Sequence, residues 1–129
     1  MLSKRSILLF GACLGGLGVA LGAFGAHALK PMLTATNHLD TYELAVRYQF
    51  YHAFSLLIIG SLLSENSPNP KLKSAALFMI LGTALFCGSL YALAFESAKS
   101  VAFLTPIGGV FFILGWILLG LGVWRKSVP

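Results

Sequence analysis

Two groups of residues in this 129-residue chain have types and spacings that could do chemistry. In "YQFYHAFS", Tyr48, His52 and Ser55 follow one another at steps of four and three. One helical face would then carry a phenol, an imidazole and a hydroxyl, with Gln49 beside them. Such a set can pass a proton or hold a polar ligand, because an ordinary imidazole titrates close to neutral pH. Upstream, Glu43 and Arg47 are four apart, a spacing that allows an ion pair along a different face. His27 and Lys30 end the run "GAFGAHALK" and, with Glu43 and Arg47, make a second candidate cluster.

Harder chemistry lacks its residues. No H-x-x-x-H, C-x-x-C or E-x-x-H spacing occurs, so no metal site is expected. Neither a nucleophile elbow nor a pair of carboxylates is present, so the chain does not read as an enzyme. Cys13 and Cys87 are too few for a disulfide framework and read as small buried hydrophobes.

The elements that must position these residues follow from composition. The chain is 57% hydrophobic and only 10% charged, where a soluble domain carries about 25% charged residues. That deficit calls for a bilayer as solvent. Four apolar runs cover about residues 7–29, 42–63, 75–95 and 106–124, each close to the roughly 20 residues that cross hydrocarbon as a helix. Exposed irregular backbone cannot survive there. The expectation is a single all-α domain, an integral membrane four-helix bundle with short loops.

The punctuation agrees. "SENSPNP" (Ser64 to Pro70) is a turn cluster. Lys30-Pro31 closes the first run, and "TATNHLD" (Thr34 to Asp40) reads as an external loop in which Asn37 caps the second helix. Thr105 and Pro106 suit the N-cap and first position of the fourth. Lys4, Arg5 and Ala26-His27-Ala28 imitate a signal peptide, but the apolar run between them is too long for one, so an uncleaved span is expected.

With four spans, Lys4, Arg5, Lys71, Lys73, Arg125 and Lys126 share one side, against Lys30 and Lys99, with Arg47 at the mouth of span two. Positive residues favour the inside, which predicts both termini in the cytoplasm. The net charge of +5 thus belongs to membrane topology. Its residues lie in clusters between apolar runs, so nucleic-acid binding is not expected.

Topology then sets depth. His52 lies roughly 15 Å into span two at helical rise, near the midplane, where a polar group must find a partner or face the interior. Tyr48, His52 and Ser55 are therefore expected inward, and the Glu43–Arg47 pair at the outer rim or a subunit contact. His27 ends span one and is expected to be an exit residue in solvent. It differs from His52 in depth by roughly 10–15 Å, which rules out haem between them. No cofactor is expected.

Glycines supply the packing. Gly11, Gly15, Gly18, Gly22 and Gly25 lie at steps of four and three on one face of span one, and Gly108, Gly115 and Gly122 repeat at seven in span four. Small residues let helices approach closely inside lipid.

Together "GAFGAHALK", "YQFYHAFSLL", "LFCGSLYAL" and "TPIGGVFFILGW" resemble the domain of unknown function 423 family, small bacterial inner-membrane proteins similar to the eukaryotic transmembrane protein 256. The shared positions are Gly22, Gly25, His27 and Lys30, then Tyr48, Gln49 and His52. They continue with Gly88, Ser89 and Tyr91, then Thr105, Pro106, Gly108, Gly109 and Trp116. Where many relatives carry a tryptophan before the second motif, this chain has Tyr42 and Glu43. The resemblance implies a multi-pass protein of the inner (plasma) membrane and no particular activity.

Two functions compete on these residues. One is a non-enzymatic binding, scaffold or assembly protein, working in the lipid bilayer as a homo-oligomer or with a membrane-protein partner. The alternative is a small oligomeric transporter or proton-conducting protein using His52 and its neighbours. A membrane enzyme acting on lipid or quinone comes third.

Overall fold

The computed structural model describes residues 2–95 and 99–126, with side chains through Trp124. Among the described residues every element is helical: α1 (Lys4–Ala26), α2 (Lys30–Ala35), α3 (Leu39–Leu62), α4 (Pro70–Ala94), a 3-10 turn (Lys99–Phe103) and α5 (Leu104–Lys126). Three helices are long and apolar enough to cross a membrane: Lys4–Ala26, Pro70–Ala94 and Lys99–Trp124. The remaining long helix, α3, carries Asp40, Glu43, Arg47, Gln49 and His52. Of these, Gln49 and His52 are buried, where α3 is flanked by α1 and α4, and Asp40, Glu43 and Arg47 are exposed.

Five end structures differ from the expectation. Ser3 caps α1 through a reciprocal pair of hydrogen bonds with Ser6, so the helix starts at Lys4. It ends at Ala26, where the Leu29 amide folds back onto the Phe24 carbonyl at 2.8 Å. Lys30-Pro31 then opens a helix rather than only closing one, since proline needs no donor in a first turn. Asn37 does not cap α3. It ends α2 in the left-handed region at φ 58°, which asparagine tolerates. There its amide reaches the Thr34 carbonyl and that of His38 reaches Leu33. Thr105, expected as a cap, lies within α5, which grows directly out of the 3-10 turn.

The helices run up and down. Along the α1–α3 seam, Gly11 meets Ala53 and Leu57, Gly18 meets Phe50 and Gly25 meets Tyr42. Along α4–α5, Leu72 meets Gly122, Met79 meets Gly115 and Phe86 meets Gly108. Both seams are antiparallel and repeat every seven residues. The N-terminal end of α1 and the C-terminal end of α5 therefore lie at the same end of the molecule. The core lies in the middle seam, where Leu56 and Ile59 of α3 are buried with Leu72, Ala75, Ala76 and Met79 of α4.

Cysteine placement departs from the sequence reading in one respect. Cys87 is buried and Cys13 is exposed, and both are free thiols. Cys13 sits on the face of α1 turned away from α3, where Leu9, Phe10 and Leu17 are also exposed.

Candidate functional site

Side chains on α3 are aimed into two different seams. Gln49, 4% exposed, faces α1 and α4: its Nε2 donates to the Leu14 carbonyl of α1 at 2.8 Å. Its Oε1 accepts from the Tyr91 hydroxyl of α4, also at 2.8 Å. One amide thus ties three helices. Seven residues earlier, the Tyr42 hydroxyl donates to the Leu21 carbonyl of α1 at 2.5 Å.

Both acceptors have a glycine one turn on. A helical side chain leans back over the preceding turn and covers the carbonyl four residues before it. Gly18 leaves the Leu14 oxygen open and Gly25 leaves Leu21 open, so each accepts a second hydrogen bond from across the seam. The close approach is the same feature seen from α3, since an added Cβ at Gly18 would lie 3.0 Å from the Phe50 ring.

His52, 3% exposed, faces α4 and α5. Its ring stacks on Phe112, with centroids 3.4 Å apart and planes at 8°. The Trp116 indole N–H donates to Nε2 at 3.3 Å, and Nδ1 lies 2.7 Å from the Tyr48 carbonyl. An indole nitrogen only donates and a carbonyl only accepts, so this geometry assigns the neutral Nδ1–H tautomer. Tyr48, half-buried, stacks on Phe86 at 4.6 Å. Ser55 is buried, but its hydroxyl bonds the His52 backbone carbonyl at 2.8 Å and not the imidazole. Between α4 and α5, the Ser89 and Thr105 hydroxyls meet at 2.5 Å.

The four inward candidates therefore divide: Tyr48 and His52 share a groove, Gln49 works in another seam and Ser55 bonds its own helix. The outer candidates do not assemble. His27, Lys30, Glu43 and Arg47 are each exposed, and no ion pair or hydrogen bond joins their side chains. No group of three metal-ligating side chains occurs among the described residues. Of the glycines singled out from sequence, Gly11, Gly18, Gly25, Gly108, Gly115 and Gly122 press on a neighbouring helix. Gly22 makes ordinary contact with Val46, and Gly15 faces open space. Gly60 against Leu8 and Gly82 against Phe112 are further close contacts that no spacing rule singled out.

Tyr42, Tyr91, Trp116 and Asn69 are the polar anchors that spacing alone missed. Tyr42 had a legible signal, since it lies seven residues before Gln49 on one face. Asn69 does two jobs at once: its Oδ1 accepts from the Leu72 amide to cap α4, and its Nδ2 donates to the Gly122 carbonyl of α5.

Long apolar helices tied by buried hydrogen bonds, with apolar side chains left on the outside, define an all-helical integral membrane protein. Comparison with known sequences gives the family. A family model described as "Protein of unknown function (DUF423)" matches residues 21–109. A UPF0382 membrane protein of Staphylococcus saprophyticus is 40% identical over 121 residues, covering 94% of this chain and 98% of its own length. One from Haemophilus influenzae is 38% identical over 124 residues, covering 96% and 98%. The UPF0382 inner membrane protein YgdD of Escherichia coli K12 is 36% identical over 124 residues, covering 96% and 93%. No solved structure matches the chain at a comparable level of significance. The chain belongs to the DUF423 family, as its motifs suggested, and is a multi-pass protein of the inner (plasma) membrane.

Proposed function

We propose that this protein is a four-span scaffold or assembly protein of the inner membrane, with both termini in the cytoplasm, and that it acts by binding another membrane helix. The observation that carries the reading is a second small-residue face on α1. Ala12, Gly16 and Ala20 are exposed and four apart, and a Cβ at Gly16 would meet nothing within 4 Å. The opposite glycine face of α1 is already filled by α3. Small residues at a spacing of four allow a further helix to pack closely and gain dispersion contacts within lipid. The conduction alternative draws less support, because both ring nitrogens of His52 and both polar ends of Gln49 are engaged in holding the fold.

Purification in a gentle detergent, followed by mass analysis of the intact assembly, tests this. A second copy or a partner is expected to remain bound, and Gly16→Leu is expected to release it while leaving the thermal melt of the released chain unchanged. A wild-type chain that runs alone with no partner bound overturns the reading. So does an assembly indifferent to Gly16→Leu.

A further inference from the structure

A groove of about 420 Å³ opens between α3, α4 and α5, and most of its lining is rings: Tyr48, Tyr51, Phe86, Phe112 and Trp116, with Gly109 also lining it. Its size and lining suit a small organic ligand. Two features make it more than an unfilled apolar face. Tyr51 and Trp116 each lie about 18 Å along α3 (24 residues) and α5 (23 residues), close to the middle of both helices. Tryptophan in spanning helices concentrates at the headgroup level, yet Trp116 is half-exposed at mid-depth.

The second feature is polar. The Tyr48 and Tyr51 rings lie 5.6 Å apart at the groove, and neither hydroxyl has a hydrogen-bond partner among the described residues. In hydrocarbon an unmet hydroxyl is costly. A molecule seated in the groove that their rings line would supply the acceptor. Acyl chains carry no acceptor, phospholipid ester carbonyls lie at the interface, and a neighbouring helix can lend a second bond from a carbonyl, as Leu21 does to Tyr42, but not a carbonyl borne on a ring that stacks between these walls. A lipid-soluble ring bearing carbonyl oxygens satisfies all three conditions: it reaches the midplane, stacks on rings and accepts from phenols. We infer that this groove binds the ring of an isoprenoid quinone, with the Tyr48 and Tyr51 hydroxyls donating to its carbonyl oxygens. The inference goes beyond the assembly reading and shares with it only the placement of α3 across the bilayer, which topology reporters test separately.

The test uses the full chain in phosphatidylcholine nanodiscs. Trp124→Phe leaves Trp116 as the sole indole, and the probe is a benzoquinone carrying one isoprenoid unit, a quencher of tryptophan fluorescence. Saturable quenching is expected. Each of Tyr48→Phe and Tyr51→Phe, which keep the ring, should weaken binding about three- to tenfold, the worth of one hydrogen bond. Gly109→Phe should abolish saturation by filling the groove that Gly109 lines, since a Cβ there meets only the Phe86 ring at 3.9 Å. Quenching that rises linearly and equally in all variants reports partition into lipid and overturns the inference. Saturable quenching that ignores the two phenylalanine variants places the ring elsewhere and overturns it too. If Gly109→Phe alters the circular dichroism, the two tyrosine variants decide alone.

Discussion

Gln49 shows how much one side chain can hold. It donates to one neighbouring helix and accepts from another, in surroundings where an unmatched amide has no water to turn to. Interhelical hydrogen bonds in lipid are worth about 0.6–1.7 kcal/mol each, so Gln49→Leu is expected to destabilise the fold by about 1–3 kcal/mol. Tyr91→Phe should cost about 1 kcal/mol on its own and almost nothing in the Gln49→Leu background, because its acceptor is already gone. A double-mutant cycle, read from reversible unfolding in mixed micelles, checks this coupling. Strictly additive losses would mean that the two side chains do not share a bond. The inward placement of Gln49 and His52 was legible in the sequence because helical spacing sets them away from Glu43 and Arg47. Their partners were not. Trp116 reaches His52 because α5 packs along α4 through Gly108, Gly115 and Gly122, and nothing local to Trp116 or His52 encodes that packing.

At the scale of the helix, glycine position decides which face is seam and which is open. Gly11, Gly18 and Gly25 stand at intervals of seven and each touches α3, whereas Gly15 and Gly16 look outward. Sequence spacing grouped Gly15 with the seam residues. A stripe of alternating four and three is about two residues wide, and the side chains that α3 brings against it, Leu57, Phe50 and Tyr42, meet only the edge at Gly11, Gly18 and Gly25 closely. Gly18→Leu is expected to lower the thermal midpoint sharply, as overpacking of this kind costs about 1–3 kcal/mol and would also cover the Leu14 carbonyl. Leu21→Ala should cost less, and Gly15→Leu should leave the midpoint of the isolated chain unchanged. Melts of the three purified variants in one detergent measure the order. Equal shifts for Gly18→Leu and Gly15→Leu would remove α1–α3 close packing from the account. The helix ends were the least legible part. The α2 segment was read as loop because its polar residues suggested exposure, while its Pro31 start and Asn37 finish form a complete short helix.

For the whole molecule, the up-and-down order puts Lys4, Arg5, Lys71 and Lys73 at one end, with Lys30 and Lys99 at the other. Basic residues are retained on the cytoplasmic side of a membrane. Reporters inserted between Ser64 and Pro68, or fused after Lys126, are expected to read cytoplasm, and one inserted at Asn37 is expected to read the outside. A reporter at Asn37 that reads cytoplasm would overturn either the orientation or the spanning of α1 and α3. The run of seams bears on how such a chain is made. The glycine-lined contacts join α1 to α3 and α4 to α5, partners that are neighbours along the chain, and only the middle seam joins the two pairs. Synthesis delivers the chain from its N-terminus, so the first hairpin can zip shut while residues beyond Leu62 are still in the ribosome. In that order Gln49 would hold the Leu14 carbonyl first, and Tyr91 would engage its other end when the second hairpin packs against the first.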